Sequence, residues 1–370
     1  MDNFSGENYN IWKSTPWKKD QFKGLSPKEQ LQHFCLVGHL APNTHNTQPW
    51  RFEINLEEME IMMFINIHFI LPASDINGRQ TVISSGCALK NIEVSSRYFG
   101  YKTEIKILNS SKEDFKPGIP DPELIALAKI KFISDTPDDS LEKNYLAIFN
   151  RQVTRAEYNE QTPIPIEILE KIESINNEKI EIHLVSDRWR RLTIGEFQGQ
   201  ADNFVINSKK FSHELGEWLL PNDTESFVGM PGVGFGLADD EAQRLHSGLK
   251  GETALRPEDG LKFSMGGKIG IEKSPTVCFL TSQEDTIESW LEAGKVMEEI
   301  FLQLTAEGIY CAVHAGIAEV TLINKLFSMS FLGTTSRIMT LFRMGYLKRD
   351  EDKKRPHSPR WPLSKVIINY

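Results

Sequence analysis

The run Leu40-Ala41-Pro42-Asn43-Thr44-His45-Asn46-Thr47-Gln48-Pro49-Trp50-Arg51-Phe52 carries the most readable binding chemistry in the chain. Pro42 and Pro49 fix φ and lack a backbone donor, and Pro49 directs Gln48 toward an extended conformation. Asn43, Thr44, Asn46 and Thr47 can bond their own backbone, so the loop can hold one shape while presenting amides and hydroxyls. That chemistry suits a flat polar ligand. An ordinary connector from helix to strand is the competing reading, and these residues alone leave both open. Other chemistries have weaker claims: the sequence holds no Walker A run, no H-E-x-x-H and no G-x-S-x-G. Gly232-Val233-Gly234-Phe235-Gly236 lacks the G-x-G-x-x-G spacing and the strand–turn–helix setting of a dinucleotide loop.

Around that loop, 370 residues are enough for two domains or one large composite one. The hydrophobic and charged fractions, 40% and 25%, are those of an ordinary globular protein. A net charge of −9 argues against a nucleic-acid-coating surface and gives no attraction to anionic membranes. Any bound anion must therefore be gripped by a local cluster of Arg or Lys. Cys35, Cys87, Cys278 and Cys311 are far apart and form no C-x-x-C pair, so we expect reduced thiols, no disulfide framework and no metal site. The start lacks a signal peptide, and the greasy run 61–71 is too short to span a bilayer, which points to the cytoplasm.

Residues 1–25 read as an arm over the surface. Ser26-Pro27-Lys28-Glu29 opens a helix ending near Leu40, strands follow at 52–56 and from residue 60, and a helix over 80–99 closes at Gly100. A strand spans 101–108, and 109–122 is an exposed connection. Residues 123–133 are ambiguous, and a helix begins near Leu141. Further on we expect a helix over 165–175, a strand over 180–185 and one helical stretch over 187–218. A loop-like, glycine-rich insert should follow over 221–267, then a strand at 276–281 and a strong helix over 287–306. A helix over 320–331 and strands at 338–344 and 366–368 complete the chain.

Two segments share a layout. Gly86-Cys87-Ala88-Leu89 leads to Gly100-Tyr101, and Gly294-Lys295-Val296-Met297 leads to Gly308-Ile309, with the glycines of each copy 14 positions apart. A glycine on an apolar stripe lets another backbone approach, and one at a helix end supplies the left-handed cap. Two related halves with a shared core account for strands following both copies, which coincidence between amphipathic helices does not.

Ala41-Pro-Asn-Thr-His-Asn-Thr-Gln-Pro-Trp-Arg-Phe52 resembles the Ala-Pro-Ser-Ser-x-Asn-x-Gln-Pro-Trp-x-Phe signature of the nitroreductase family, with Asn43 and Thr44 where serines are usual. The likeness is to the Acg-type branch, where two halves are fused. It implies an α+β, nitroreductase-like fold: two homologous halves forming a pseudo-dimer of antiparallel-rich sheets flanked by helices. The halves would be 1–118 and 146–370, joined by a connecting segment over 119–145, with 221–267 as a lid-like insert. It also implies FMN as cofactor, touched by Pro42, Asn43, Thr44 and Asn46 from the first half. Asn150-Arg151-Gln152-Val153-Thr154-Arg155 resembles the family's Arg-Arg-Ser-x-Arg phosphate motif, with Val153 in place of the serine, and Arg360 in Ser-Pro-Arg-Trp-Pro would complete the pocket. Three guanidiniums offer a phosphate bidentate, charge-assisted bonds. The competing reading sets Arg151 and Arg155 on a helix face answering carboxylates. Cys311-Ala-Val-His-Ala-Gly316 aligns with the stretch beside the flavin's reactive edge, which carries backbone contact to Ala315 and Gly316. His314 is either a proton donor or structural.

The implied activity is transfer of reducing equivalents from NAD(P)H to a nitroaromatic or quinone-type acceptor, with no catalytic side chain assigned. The alternative is an FMN-storing protein under a closed lid. Because the half-sites are complementary, one flavin per chain is expected, in a monomer that imitates a dimer and is open to further association.

Overall fold

The computed structural model describes residues 6–117, 123–175 and 177–370. The first long helix, α1 (Pro27–His39), starts as its sequence demands: Ser26 caps it, Glu29 reaches back to the Ser26 N–H at 2.8 Å, and Pro27 occupies the first helical position. Its inward residues Leu31, Phe34, Cys35 and Val37 are fully buried.

Two four-stranded antiparallel sheets form the body. The first contains β1 (Trp50–Asn55), β2 (Glu60–Asn66), β3 (Tyr101–Ile107) and β4 (Leu124–Ser134) in the order β1-β2-β4-β3. The second contains β5 (Glu181–Val185), β6 (Thr276–Ser282), β7 (Tyr310–Val313) and β8 (Arg337–Gly345) in the order β5-β6-β8-β7. The two orders are the same pattern. In each sheet a 20-residue helix joins the second strand to the third: α2 (Arg79–Tyr98) in the first and α8 (Ile287–Ala306) in the second. The repeat read from the glycines is thus a repeat of topology.

Those two helices pack against each other, and they cross at the paired glycines. A Cβ on Gly294 would stand 2.9 Å from Gly86 Cα and collide with the Ile83 carbonyl, while one on Gly86 would collide with the Leu291 carbonyl. Both helices are buried along most of their length, so hydrophobic burial drives a contact that only glycine permits. Gly100 (φ 87°) and Gly308 (φ 69°) take the left-handed conformation just after each helix. The chain end also ties the halves: Phe52 N–H donates to the Val366 carbonyl at 2.8 Å, and Ile368 N–H to the Phe52 carbonyl at 2.7 Å.

Three expectations are corrected. The connecting segment proposed over 119–145 instead supplies β4, inserted between β2 and β3; its boundary at residue 118 lies outside the described residues, as do 118–122 of the exposed connection. Leu124-Ile-Ala-Leu-Ala gives no clean period of two, and pairing with two neighbours decides for strand. The helical stretch over 187–218 is two helices, α4 (Arg188–Asn207) and α5 (Lys209–Trp218), broken where Ser208 takes ψ 113°. The insert is largely helical: α6 (Asp239–Lys250) has three acidic residues in its first turn and ends at Gly251, and α7 (Pro257–Glu272) starts on proline. Close packing accounts for Gly267 of the insert, where a Cβ would collide with Asp202 of α4, and for Gly199 on the facing α4, where one would lie 3.3 Å from Lys268.

All four cysteines are buried and unbridged. Among the described residues no helix is long and apolar enough to cross a membrane.

Candidate functional site

The loop after α1 is fixed by its own side chains. Asn43 Oδ1 accepts from Gln48 N–H at 2.8 Å, Thr44 Oγ1 donates to Gln80 Oε1 at 3.1 Å, and Thr44 N–H donates to Ser84 Oγ at 3.3 Å. His45, Asn46 and Gln48 have φ of 48°, 58° and 53°. Left-handed backbone costs a side-chain-bearing residue about 1–2 kcal/mol. The expected extended Gln48 is therefore wrong, and the reason is tertiary: its Nε2 donates to the Phe227 carbonyl at 2.6 Å, and its Oε1 accepts from Trp361 N–H at 2.9 Å. Asn46 Nδ2 likewise donates to the Gly229 and Pro359 carbonyls at 2.9 and 2.7 Å. These amides point inward, fastening the insert and the C-terminal segment to the loop. At its base Trp50 Nε1 donates to His39 Nδ1 at 2.9 Å.

A cavity of about 210 Å³ opens beside this loop, lined by Pro42, Asn43, Thr44 and Asn46 from the first half and by Arg151, Val153, Arg155, Ala315 and Arg360 from the second. Nine of the ten expected binding residues thus meet there. The tenth, Gly316, faces an adjoining chamber of about 310 Å³ instead. That chamber shares His45, Arg155, Phe235, Ala315 and Glu319 with the cavity.

One end of the cavity is cationic. Arg360 Nη2 donates to the Ala41 carbonyl at 2.8 Å, while its buried Nε and Nη1 have no hydrogen-bond partner among the described residues. Arg151 Nη2 donates to the Leu40 carbonyl at 2.7 Å, and its Nε lies 3.2 Å from Glu298 Oε1 in a pair with almost no solvent exposure. Burial, with the Arg151 charge adding to it, lowers Arg360 to about 9, and burial raises Glu298 to about 7 against the pull of Arg151. A buried charged donor without a partner costs more than the roughly 1–3 kcal/mol of a neutral one. An anionic group placed here would relieve that cost.

Arg155 departs from the expected triad of guanidiniums. Its group lies 4.4 Å over the Phe235 ring, its charged neighbours are Arg343 and Asp202, and it faces both cavity and chamber. Val153 sits in a bridge to Cys311, where the segment runs along the β7 edge. His314 is structural: its Nε2 accepts from Arg343 Nε at 3.1 Å, and burial beside Arg343 holds it neutral, far below its usual range.

Sequence reasoning missed Glu298, Phe235 and the arm residues Tyr9 and Trp12, which also line the cavity or bound its cationic end. Trp12 stacks on His357 with centroids 4.0 Å apart. A signal existed for Glu298, a lone acid four residues after Gly294 on the inward stripe of α8. Nothing marked the arm, which has no periodicity.

No family model matches the chain. It is 25% identical over 285 residues to an uncharacterized Mycobacterium tuberculosis protein, Rv3127, spanning 75% of this chain and 76% of that one. It is 22% identical over 335 residues to the M. tuberculosis protein named "Putative NAD(P)H nitroreductase acg", spanning 88% of this chain and 92% of that one. Among solved structures, the FMN-dependent nitroreductase NfnB of Mycobacterium smegmatis, in complex with NADPH, superposes with a TM-score of 0.40 at 18% identity, covering 63% of this chain and all of that one. Over most of its length the chain is thus similar to mycobacterial proteins named as putative NAD(P)H nitroreductases, and its two sheets repeat one strand order.

Proposed function

We propose that the chain is an FMN-dependent oxidoreductase that takes reducing equivalents from NAD(P)H and passes them to a nitroaromatic or quinone-type acceptor. The observation that carries this reading is the pair of buried Arg360 donors without a partner, next to Arg151, at one end of a cavity whose other wall is the Asn43–Asn46 loop. The names borne by the mycobacterial relatives point the same way. FMN suits the residues present: its phosphate would supply the acceptors that Arg360 lacks, and Pro42, Thr44 and the Ala315 backbone would hold its ring system. When bound, FMN supplies the redox chemistry, accepting two electrons from a nicotinamide and yielding them to the acceptor.

The chain itself anchors, shapes and covers. Arg151 and Arg360 grip the phosphate with charge-assisted bonds. Thr44, braced by Gln80 and Ser84, sets the ring-side wall. Met230, Val233 and Phe235 of the insert add an apolar wall to the cavity. Only the second half carries the arginines and only the first the loop, so one FMN binds per chain. The boundary between halves, on this reading, falls before α3 (Glu142–Asn150).

A second reading, FMN storage without turnover, is favoured by the fastening of the insert to the loop at both Asn46 and Gln48. Anaerobic addition of NADPH to the purified yellow protein separates the two. Bleaching near 450 nm, roughly the flavin absorbance maximum, supports the oxidoreductase. Persistent colour supports storage, and a colourless protein that takes up no added FMN sinks both.

A further inference from the structure

The chamber beneath the insert holds polar groups that the fold does not use. The Arg155 guanidinium makes no hydrogen bond or ion pair among the described residues; it lies over the face of Phe235, 4.4 Å from the ring centroid. Asp202 of α4 accepts one hydrogen bond, from Gln198 Nε2 at 2.7 Å, and has no ion pair. Glycines flank its carboxyl. A Cβ on Gly316 would stand 2.8 Å from Oδ1, and one on Gly267 would collide with Oδ2, so the backbone leaves that carboxyl a slot open to the chamber. The other walls include Val205, Phe211, Leu245 and Phe263. A chamber with apolar walls on one side, an unbonded guanidinium and a carboxyl with one oxygen unbonded, joined to the cavity, is built for a flat molecule bearing a hydrogen-bond-accepting oxygen.

We propose that this chamber seats the electron acceptor, a quinone-type molecule, and that Asp202 donates a proton to its carbonyl oxygen while Arg155 orients it. This rests on the oxidoreductase reading above. The quinone takes a hydride equivalent that originates from NAD(P)H and one proton from the Asp202 carboxyl. The product is the hydroquinone, and the Asp202 carboxylate regains its proton from water.

The charges around Asp202 favour a proton on it. Burial raises it to about 8, Glu319 adds to the rise, and Gln198 and Arg155 oppose it. Glu319, bonded by Gln80 Nε2 at 3.0 Å, is itself raised to about 7 by burial. From the insert, Lys262 is paired with Glu241 at 2.9 Å and Arg244 with Asp259 at 3.1 Å, so neither cation is a free countercharge for Asp202. Glu214 is held by the Ala73 and Ser74 N–H groups. Burial and the charge of Arg155 hold His45 down to about 4, and Arg343 is engaged with His314 and Ala156.

Menadione (2-methyl-1,4-naphthoquinone) is the probe. Its binding to the protein without NAD(P)H is read by quenching of tryptophan fluorescence, and FMN content is measured separately on every variant. Asp202→Leu should weaken menadione binding at least tenfold with FMN content unchanged, whereas Asp202→Asn, which still donates, should bind within threefold. In turnover, Asp202→Asn should lower kcat at least tenfold while reduction of the bound flavin by NADPH keeps its rate, and Asp202→Glu should restore part of kcat. Since the donor must be protonated, wild-type kcat should fall as pH rises through about 8, and Asp202→Asn should lose that limb. Wild-type binding by Asp202→Leu overturns the seat, and an unchanged kcat profile in Asp202→Asn overturns the proton donor. A wild type that holds no FMN defeats the parent reading instead, and the quenching arm then decides the seat alone.

Discussion

At the cationic end of the cavity Arg360 keeps two buried donors without a protein partner, whereas at the loop end Asn46 and Gln48 give their amides to Gly229, Phe227 and Pro359. Both ends are polar and both lie in the likeness to nitroreductases, yet the donors of one are left for a ligand, while the amide nitrogens of the other are consumed in holding the walls together and only acceptor or ring atoms such as Asn46 Oδ1 stay unbonded there. Polar residue type alone did not tell them apart. The number of partners each side chain already has does.

That contrast yields predictions of decreasing size. Arg360→Ala removes donors that await a phosphate, each charge-assisted bond being on the order of 1.5–3 kcal/mol, so FMN affinity should drop about 100-fold or more in a flavin-fluorescence titration. A loss below threefold would make the two ends equivalent. Gln48→Ala should show the reverse profile: a stability loss of about 1–3 kcal/mol in denaturant melts and faster proteolysis within 221–267, with FMN affinity changed less than tenfold. A large affinity loss in a fully stable variant would put Gln48 on the ligand.

Glu298 sharpens the contrast by pH. Its carboxylate competes with the phosphate for Arg151, and burial lifts its native value to about 7, above its unfolded one. Lowering the pH from 8 to 6.5 protonates Glu298 and frees Arg151, while a phosphate monoester with a second pKa near 6 stays mostly dianionic. FMN should therefore bind about three- to tenfold tighter at the lower pH, and Glu298→Gln should remove the dependence. The same raised value makes the fold lose stability as pH rises from the unfolded carboxylate range through about 7, because the native state holds the extra proton.

Much of the architecture was legible. The glycine pairs at 86/100 and 294/308 announced the two central helices, and the capping residues before α1 marked its start within a residue. The illegible parts share a cause, since partners distant in sequence decided them. Gly260 and Gly267, within the stretch over 221–267, read as loop until α4 is seen lying against α7. Gln48 reads as extended until Phe227 and Trp361 arrive. At the site, the residue types around the cavity followed from the loop and the arginine motif, but Arg155's place over Phe235 and Arg151's pairing with Glu298 did not. Those depend on side chains more than forty positions away, and no local pattern encodes them.

The most direct test of the account removes the phosphate from the ligand. Parallel equilibrium titrations of FMN and riboflavin against wild type and Arg360→Ala should give one site per chain, with riboflavin about 100-fold weaker than FMN in wild type and the two nearly equal in the variant. Equal affinities of the two ligands for the wild-type protein would contradict the anion-gripping role given to Arg151 and Arg360.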